Sequence, residues 1–256
     1  MENARWAGRN SDKDVLRNRI WTTLEKTGVN VGPADSRIPN FAGADMAALN
    51  LSRLASWQSA RTVKCNPDPP QIPVRLRALY EGKIVYAPVP ELLRPFPFVR
   101  LDPEKLEGKG IQFELAATSQ GFVEYGDPVE FEDMEPLDFV VVGCVAVSRN
   151  GGRTGKGGGF ADLELGIFRE LGKLKADAPI TTTVHSSQVV ADAALPMMGH
   201  DSALDAIATE VELIQTNTPF PQPHGVAWDE VQADQYRDIP FLRTLRERLE
   251  TGGASL

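Results

Sequence analysis

The sequence predicts an α/β fold with a mostly parallel central sheet, and three observations carry that expectation. Helical and strand patterns alternate along the chain up to Val89, which is the habit of sheets crossed by helices. A short β-branched run, LDFVVVGCVAVS from Leu137 to Ser148, is apolar almost throughout; such a run reads as a strand covered on both faces. It feeds a glycine-rich stretch, GGRTGKGGGFAD from Gly151 to Asp162, and then an amphipathic helix with Leu163, Ile167, Leu171 and Leu174 on one side.

The elements follow in order. Residues 1–12 are expected to be loose, with Ser11 or Asp12 capping a helix over Lys13–Thr27. Val15, Leu16, Ile20 and Leu24 would form its apolar stripe. Lys13 and Arg17, four apart, share one face near the helix start, where they oppose its dipole unless an anion lies there. Gly28–Asp45 reads as loop, marked by Gly32-Pro33 and RIPNF. A second helix is predicted over Asp45–Ser59, with Ala47, Leu51, Leu54 and Ala55 inward. Arg61–Cys65 is a strand ending at prolines, Val74–Lys83 a helix stopped by Gly82, and Lys83–Val89 the next strand. Pro90–Gly110 reads as irregular apart from a short strand at Phe98–Leu101. ATSQG, Ala116–Gly121, is either a plain turn or a border of the ligand pocket. Thr181–Val184 is a further strand, whose exit carries His185, Ser186, Ser187 and Gln188. Phe241–Leu249 is a charged helix. Residues 13–250 are read as one domain and 251–256 as a loose tail.

The glycine stretch has a clear chemical use. Glycines leave backbone N–H groups exposed and permit positive φ, so that several can point at one anion. The helix behind adds the positive end of its dipole. Arg153 and Lys156 add full charges, and Asp162 at the helix start is placed to hold a magnesium ion brought in by a nucleotide. The stretch is neither a Walker A loop, which would end in GK[ST], nor a dinucleotide fingerprint. A plain surface loop is the alternative.

Bulk properties narrow the classes. A net charge of −8 argues against general nucleic-acid binding. Two distant cysteines suggest neither a disulfide framework nor a zinc site, and fit a reducing cytoplasm. The polar start is no signal peptide and no apolar run approaches a membrane span. The expected partner is a small molecule in the cytoplasm, without nucleic acid or membrane.

At the loop the chain resembles a known family. RTGKGGGFADLE is similar to the R-[LI]-G-x-G-x-G-[YF]-x-D signature of 5-formyltetrahydrofolate cyclo-ligase, also called methenyltetrahydrofolate synthetase. KDVLR resembles the family's K-x-x-[LI]-R helix, GKIVYAPVP its G-K-x-[LIV]-x-x-P strand, and SSQVVADAALPMMGHDSALDAIATE its Q-x-x-x-x-[LI]-P-x-x-x-x-D-x-x-[VL]-D stretch. RIPNF, NPDPPQ, ATSQG, VVVGCVAVS, TTVH and HD look like those of a divergent branch, the methenyltetrahydrofolate synthetase domain-containing proteins.

The resemblance implies a three-layer α/β/α fold of the NagB/RpiA/CoA-transferase-like type. It implies ATP and Mg²⁺ as cofactors and a reduced folate or similar molecule as substrate. Carried over position by position, ATP would be bound by Lys13, Arg17, Arg153, Gly155, Lys156, Gly157, Gly158, Gly159 and Phe160. Arg153 and Lys156 would be catalytic, and Asp162 and Asp201 would hold magnesium. Gln71, His185 and Gln188 are candidates for the substrate pocket. The chain departs from the pattern at Ala161, at Leu163 where many members carry a cation, and in NPDPPQIP, which lacks the glutamate that holds the pterin; Asp68 and Gln71 are the candidates to replace it. Three other readings stand beside this one: an ATP-dependent relative with another substrate, a non-catalytic binding protein, and a metal hydrolase using His185, His200 and Asp201.

Overall fold

The computed structural model describes residues 9–89 and 97–252. The first part of the chain runs α1 (Ser11–Thr27), α2 (Ala44–Leu51), α3 (Ala55–Ser59), β1 (Thr62–Cys65), α4 (Ile72–Tyr80) and β2 (Ile84–Pro88). Then come β3 (Phe98–Leu101), α5 (Pro103–Gly108), α6 (Phe113–Ala116), α7 (Ser119–Tyr125), β4 (Asp127–Val129) and β5 (Phe139–Val141). The remainder is β6 (Ala146–Ser148), β7 (Arg153–Thr154), α8 (Phe160–Glu170), β8 (Ile180–Thr183), β9 (Val189–Val190), β10 (Ala206–Ala208), β11 (Leu213–Gln215), α9 (Ala233–Asp238) and α10 (Pro240–Gly252).

One large sheet has the order β11-β10-β8-β5-β1-β2-β3-β4. Its centre, β10-β8-β5-β1-β2, is parallel, and antiparallel strands finish both edges. Residues in β1, β5, β8 and β10 are buried throughout, as parallel strands covered on both faces must be. Side chains alternate between two cores. Val63, Cys65, Phe139 and Val141 pack with α2, α4 and α7 on one face. Tyr86, Val140 and Ile207 pack with α8 and α10 on the other. This is the expected α/β/α layering. The threonines of β8 tolerate burial because their hydroxyls are bonded: Thr181 and Thr182 donate to the carbonyls of Val140 and Val142 at 2.8 and 2.7 Å.

Several elements differ from the sequence reading. The run Leu137–Ser148 is two strands in two sheets: β5 belongs to the large sheet, and β6 joins β7 and β9 in a three-stranded one. The break falls at Gly143, where a Cβ would lie 2.8 Å from Asp68 Oδ2, so only glycine admits that carboxylate beside the backbone. The predicted helix Asp45–Ser59 is also two, and Ala55 is exposed rather than inward. Helix α1 starts at Ser11, inside the stretch expected to be loose, and its cap is Asn10, whose side chain accepts from the Lys13 N–H at 3.0 Å. Val15 is 70% exposed, and Trp21 supplies the buried stripe with Leu16, Ile20 and Leu24. Trp21 serves because its indole N–H donates to the Arg37 carbonyl at 2.9 Å. Pro90–Gly110 contains helix α5, started by Asp102 as cap and Pro103 in the first turn; residues 90–96 of that stretch lie outside the described residues.

Candidate functional site

The parallel strands end at a cavity of about 600 Å³. Segments leaving β1, β2 and β5 supply Asn66, Asp68, Val89 and Gly143 to its wall, the place where open α/β sheets gather ligands. The glycine loop forms the facing wall.

The loop is shorter than the sequence suggests, because Arg153 and Thr154 form β7. Residues 155–159 make the turn itself, with Gly157 at φ 111° and Gly159 at φ 72° before α8. Arg153 is 3% exposed and points inward. Its Nε donates to the Ser202 carbonyl at 2.8 Å, and its Nη2 pairs with Asp162 Oδ1. The same oxygen accepts from the Ser202 N–H at 2.8 Å. Burial works against the Arg153 charge, but Asp162, Cys144 and Asp201 together outweigh it and raise the guanidinium pKa above its ordinary value. Asp162 thus already has a structural task.

Helix α1 brings the remote cations. Arg17 donates from Nε to the Gly155 carbonyl at 2.7 Å and from Nη1 to Asp14 at 2.5 Å. Burial lowers its pKa despite Asp14. Lys13, 5% exposed, pairs with Asp201, whose Oδ2 also accepts from the Met198 N–H at 2.7 Å. Lys13, Arg17, Arg153 and Lys156 therefore line one cavity together with Asp162 and Asp201. Gly155, Gly157, Gly158, Gly159 and Phe160 line it as well.

Gln71, His185 and Gln188 lie outside that lining. Gln71 is fully buried and reaches Thr183 Oγ1 at 3.3 Å. Gln188 donates to the carbonyls of Cys144 and Val145 at 3.1 and 3.0 Å, tying the crossover between the two sheets. His185 accepts from the Ser187 N–H at 3.1 Å and packs edge-on to Phe41. The exit of β8 is spent on local partners: backbone groups, the Ser187 hydroxyl and the Glu210 carboxylate. His200 instead faces Glu230 and Asp201 at the cavity. Among the described residues no group of three or more His, Cys, Asp or Glu is arranged to hold a metal, which gives the hydrolase reading no donor set. Two carboxylates beside a glycine loop are donors of the kind Mg²⁺ takes, an ion commonly held by one or two carboxylates and the phosphates of a nucleotide.

The sequence offered Asp68 and ATSQG for this cavity, but not Glu164, which also lines it, nor the lysine that Glu164 pairs with. Lys64, in the middle of β1, points to the α8 face, where it pairs with Glu164 and donates to Asn66 Oδ1 at 2.5 Å. Asp68 sits next to Arg75, which spans the carbonyls of Ala117, Pro67 and Asn66. Burial pushes the carboxyl groups of both Asp68 and Glu164 above their ordinary pKa, although Lys156 and Arg75 act against this at Asp68 and Lys64 at Glu164. A lysine inside an otherwise apolar strand was the available signal. Ser119, from ATSQG, lines the cavity and donates to the Pro67 carbonyl at 2.6 Å. Arg9 and the segment around Gln235 also reach the cavity.

The chain is 37% identical over 243 residues to the methenyltetrahydrofolate synthase domain-containing protein of Bos taurus and 38% over 243 residues to that of Mus musculus. Those alignments cover 94% of this chain but 63% and 65% of the relatives, so the chain spans just under two thirds of their length. The solution structure of Aquifex aeolicus 5,10-methenyltetrahydrofolate synthetase superposes with a TM-score of 0.52 over 83% of this chain and 96% of its own, at 20% identity, and so shares the fold. The profile of one family matches residues 9–210, from the arginine before α1 to the segment beyond β10. The chain belongs to the 5-formyltetrahydrofolate cyclo-ligase family.

Proposed function

We propose that the protein converts 5-formyltetrahydrofolate into 5,10-methenyltetrahydrofolate at the expense of ATP, releasing ADP and phosphate, with Mg²⁺ as cofactor. One observation carries the reading: Lys13, Arg17, Arg153 and Lys156, drawn from two separate parts of the sequence, line the same cavity as the glycine loop. Such a set of cations suits a polyphosphate. The formyl oxygen attacks the γ-phosphorus and ADP leaves; N10 then attacks the activated carbon and gives up its proton to solvent, and phosphate leaves with the former formyl oxygen. The protein's part is positioning and charge neutralisation. Lys156 and Arg153 are the residues assigned to the charge that develops on the transferred phosphoryl group. Asp162 and Asp201 would hold Mg²⁺, which when bound neutralises phosphate charge. Asp68 is assigned to the polar edge of the folate ring in place of the missing glutamate, because it borders the cavity whereas Gln71 does not.

A second reading, ATP-dependent chemistry on another small molecule, draws on the buried Lys64–Glu164 pair and the shorter Asp68 at that end. One assay separates them: ADP release from Mg-ATP with and without 5-formyltetrahydrofolate, while methenyltetrahydrofolate is followed by absorbance. Folate-dependent ADP release matched by methenyl formation supports the first reading. ATP binding without folate-stimulated turnover supports the second.

A further inference from the structure

The cavity is closed on one side by a segment beyond the residues that the family profile matches. Its anchor at one end is the Val226 N–H, which donates to Glu170 Oε1 on α8 at 3.2 Å. At the other end, Gln235 is 5% exposed and both ends of its amide are used. Oε1 accepts from the Gln232 N–H at 2.8 Å, capping α9, and Nε2 donates to the Gly158 carbonyl at 2.9 Å. That carbonyl receives a second donor, Arg9 Nη1, also at 2.9 Å. Arg9 is in turn held by Asp234 through a 2.6 Å ion pair. Residues from before α1 and from α9 thus converge on a single peptide of the glycine loop.

We infer that Gln235, with Arg9 and Asp234, is a positioning residue for the phosphate cradle: by holding the Gly158 carbonyl it orients the Gly158–Gly159 peptide. The peptides of the described chain are all trans, so fixing a carbonyl on one side fixes the N–H of the next residue on the opposite side. With the Gly158 carbonyl turned to Gln235 and Arg9, the Gly159 N–H is turned away from them, at the start of α8, where backbone N–H groups favour an anion. Gly159 has φ 72°, and a Cβ there would come within 3.1 Å of Gln235 Nε2. The loop and the segment fit without room for adjustment. Arg17 treats the Gly155 carbonyl in the same way from α1. Glycine peptides flip easily, so a cradle built from them needs such outside donors to hold one orientation.

The inference rests on the nucleotide reading of the site, and the test keeps the two apart. ATP affinity is measured by calorimetry for the full chain and for Gln235→Leu and Gln235→Glu, with thermal melting as the folding control. Gln235→Glu keeps the oxygen that caps α9 and loses the donor. Both variants are expected to bind ATP about tenfold more weakly, the scale of one buried hydrogen bond. As pH falls, the glutamate of Gln235→Glu gains a proton and becomes a donor again, so its affinity should recover relative to Gln235→Leu measured at the same pH. A general loosening of the fold would not produce that recovery. Wild-type affinity in both variants, or equal weakening at every pH, overturns the inference and leaves the functional reading intact. No ATP binding by the wild type overturns both.

Discussion

The two ends of the cavity hold charge in different ways. At the glycine loop Arg153 and Lys13 are also buried, at 3% and 5% exposed, but Asp162 is 17% exposed and each ion pair is backed by backbone hydrogen bonds. At the far end Lys64 and Arg75 are fully buried, Glu164 is 5% exposed, and the carboxyl groups there are pushed above their ordinary pKa by burial. The first arrangement suits a ligand that brings several negative charges and its own water. The second suits a ligand that offers fixed hydrogen-bonding groups and little charge, because a buried ionised partner tolerates no mismatch.

The largest expected effect tests the far end. Lys64→Met leaves Glu164 buried without its cation and should cost about 3–5 kcal/mol of stability in urea denaturation. Adding Glu164→Leu should return most of that loss. A Lys64→Met cost below about 1 kcal/mol would mean that the pair is hydrated, like an exposed one, and the contrast between the two ends would collapse.

Next comes the loop. Lys156→Ala should weaken ATP binding about 10- to 100-fold, the range for a lost charged hydrogen bond, with little change in melting temperature because Lys156 is only half-buried. A large fall in melting temperature would show that Lys156 serves the fold rather than a ligand.

A smaller effect separates the ends directly. Asp68→Asn should raise KM for the reduced folate about tenfold and change ATP affinity less, although Lys156 lies near enough to act on the Asp68 carboxyl. Equal loss of both would show that the cavity acts as one site rather than two.

The smallest effect lies away from both ends. Asp138 accepts from the N–H groups of Arg61 and Thr62 at 2.8 and 2.9 Å and pairs with Lys175. Burial alone would raise its pKa, but these bonds hold it at about 2. The stability it contributes is present above the ordinary carboxylate range of about 4 and is lost as pH falls towards 2. Asp138→Asn should flatten the acid side of the urea-midpoint profile between about pH 4 and 2 and leave ATP binding alone. An unchanged profile would mean that the unfolded chain holds Asp138 equally low.

The glycine loop was readable because its parts sit next to one another in the chain. Lys13 and Arg17 were readable as a pair because helical spacing puts them on one face. That α1 would bring them to the glycine loop was what the resemblance implied, and their direct contacts with Gly155 and Asp201 are tertiary. Lys64 and Glu164 show the limit. Each belongs to an element that was correctly read, yet only the alternation of β1 and the packing of α8 make them partners. Gln188 and His185 are polar residues at a strand end, but they lie outside the cavity lining: Gln188 holds backbone carbonyls, and His185 meets the Ser187 N–H and hydroxyl and faces Glu210. The run Leu137–Ser148 was read as one strand because composition is blind to the approach of Asp68 at Gly143.

The sequence by itself determined the α/β class, the order of most elements, the place of the glycine loop ahead of its helix, and the family. All of these depend on short-range patterns, since hydrophobic period and turn chemistry act between near neighbours. Only the tertiary structure decided which charges are buried, which strand ends face the cavity, and that Arg9 and Gln235 share the Gly158 carbonyl. Those outcomes depend on groups far apart in sequence competing for the same few buried donors and acceptors, and no local pattern records who wins.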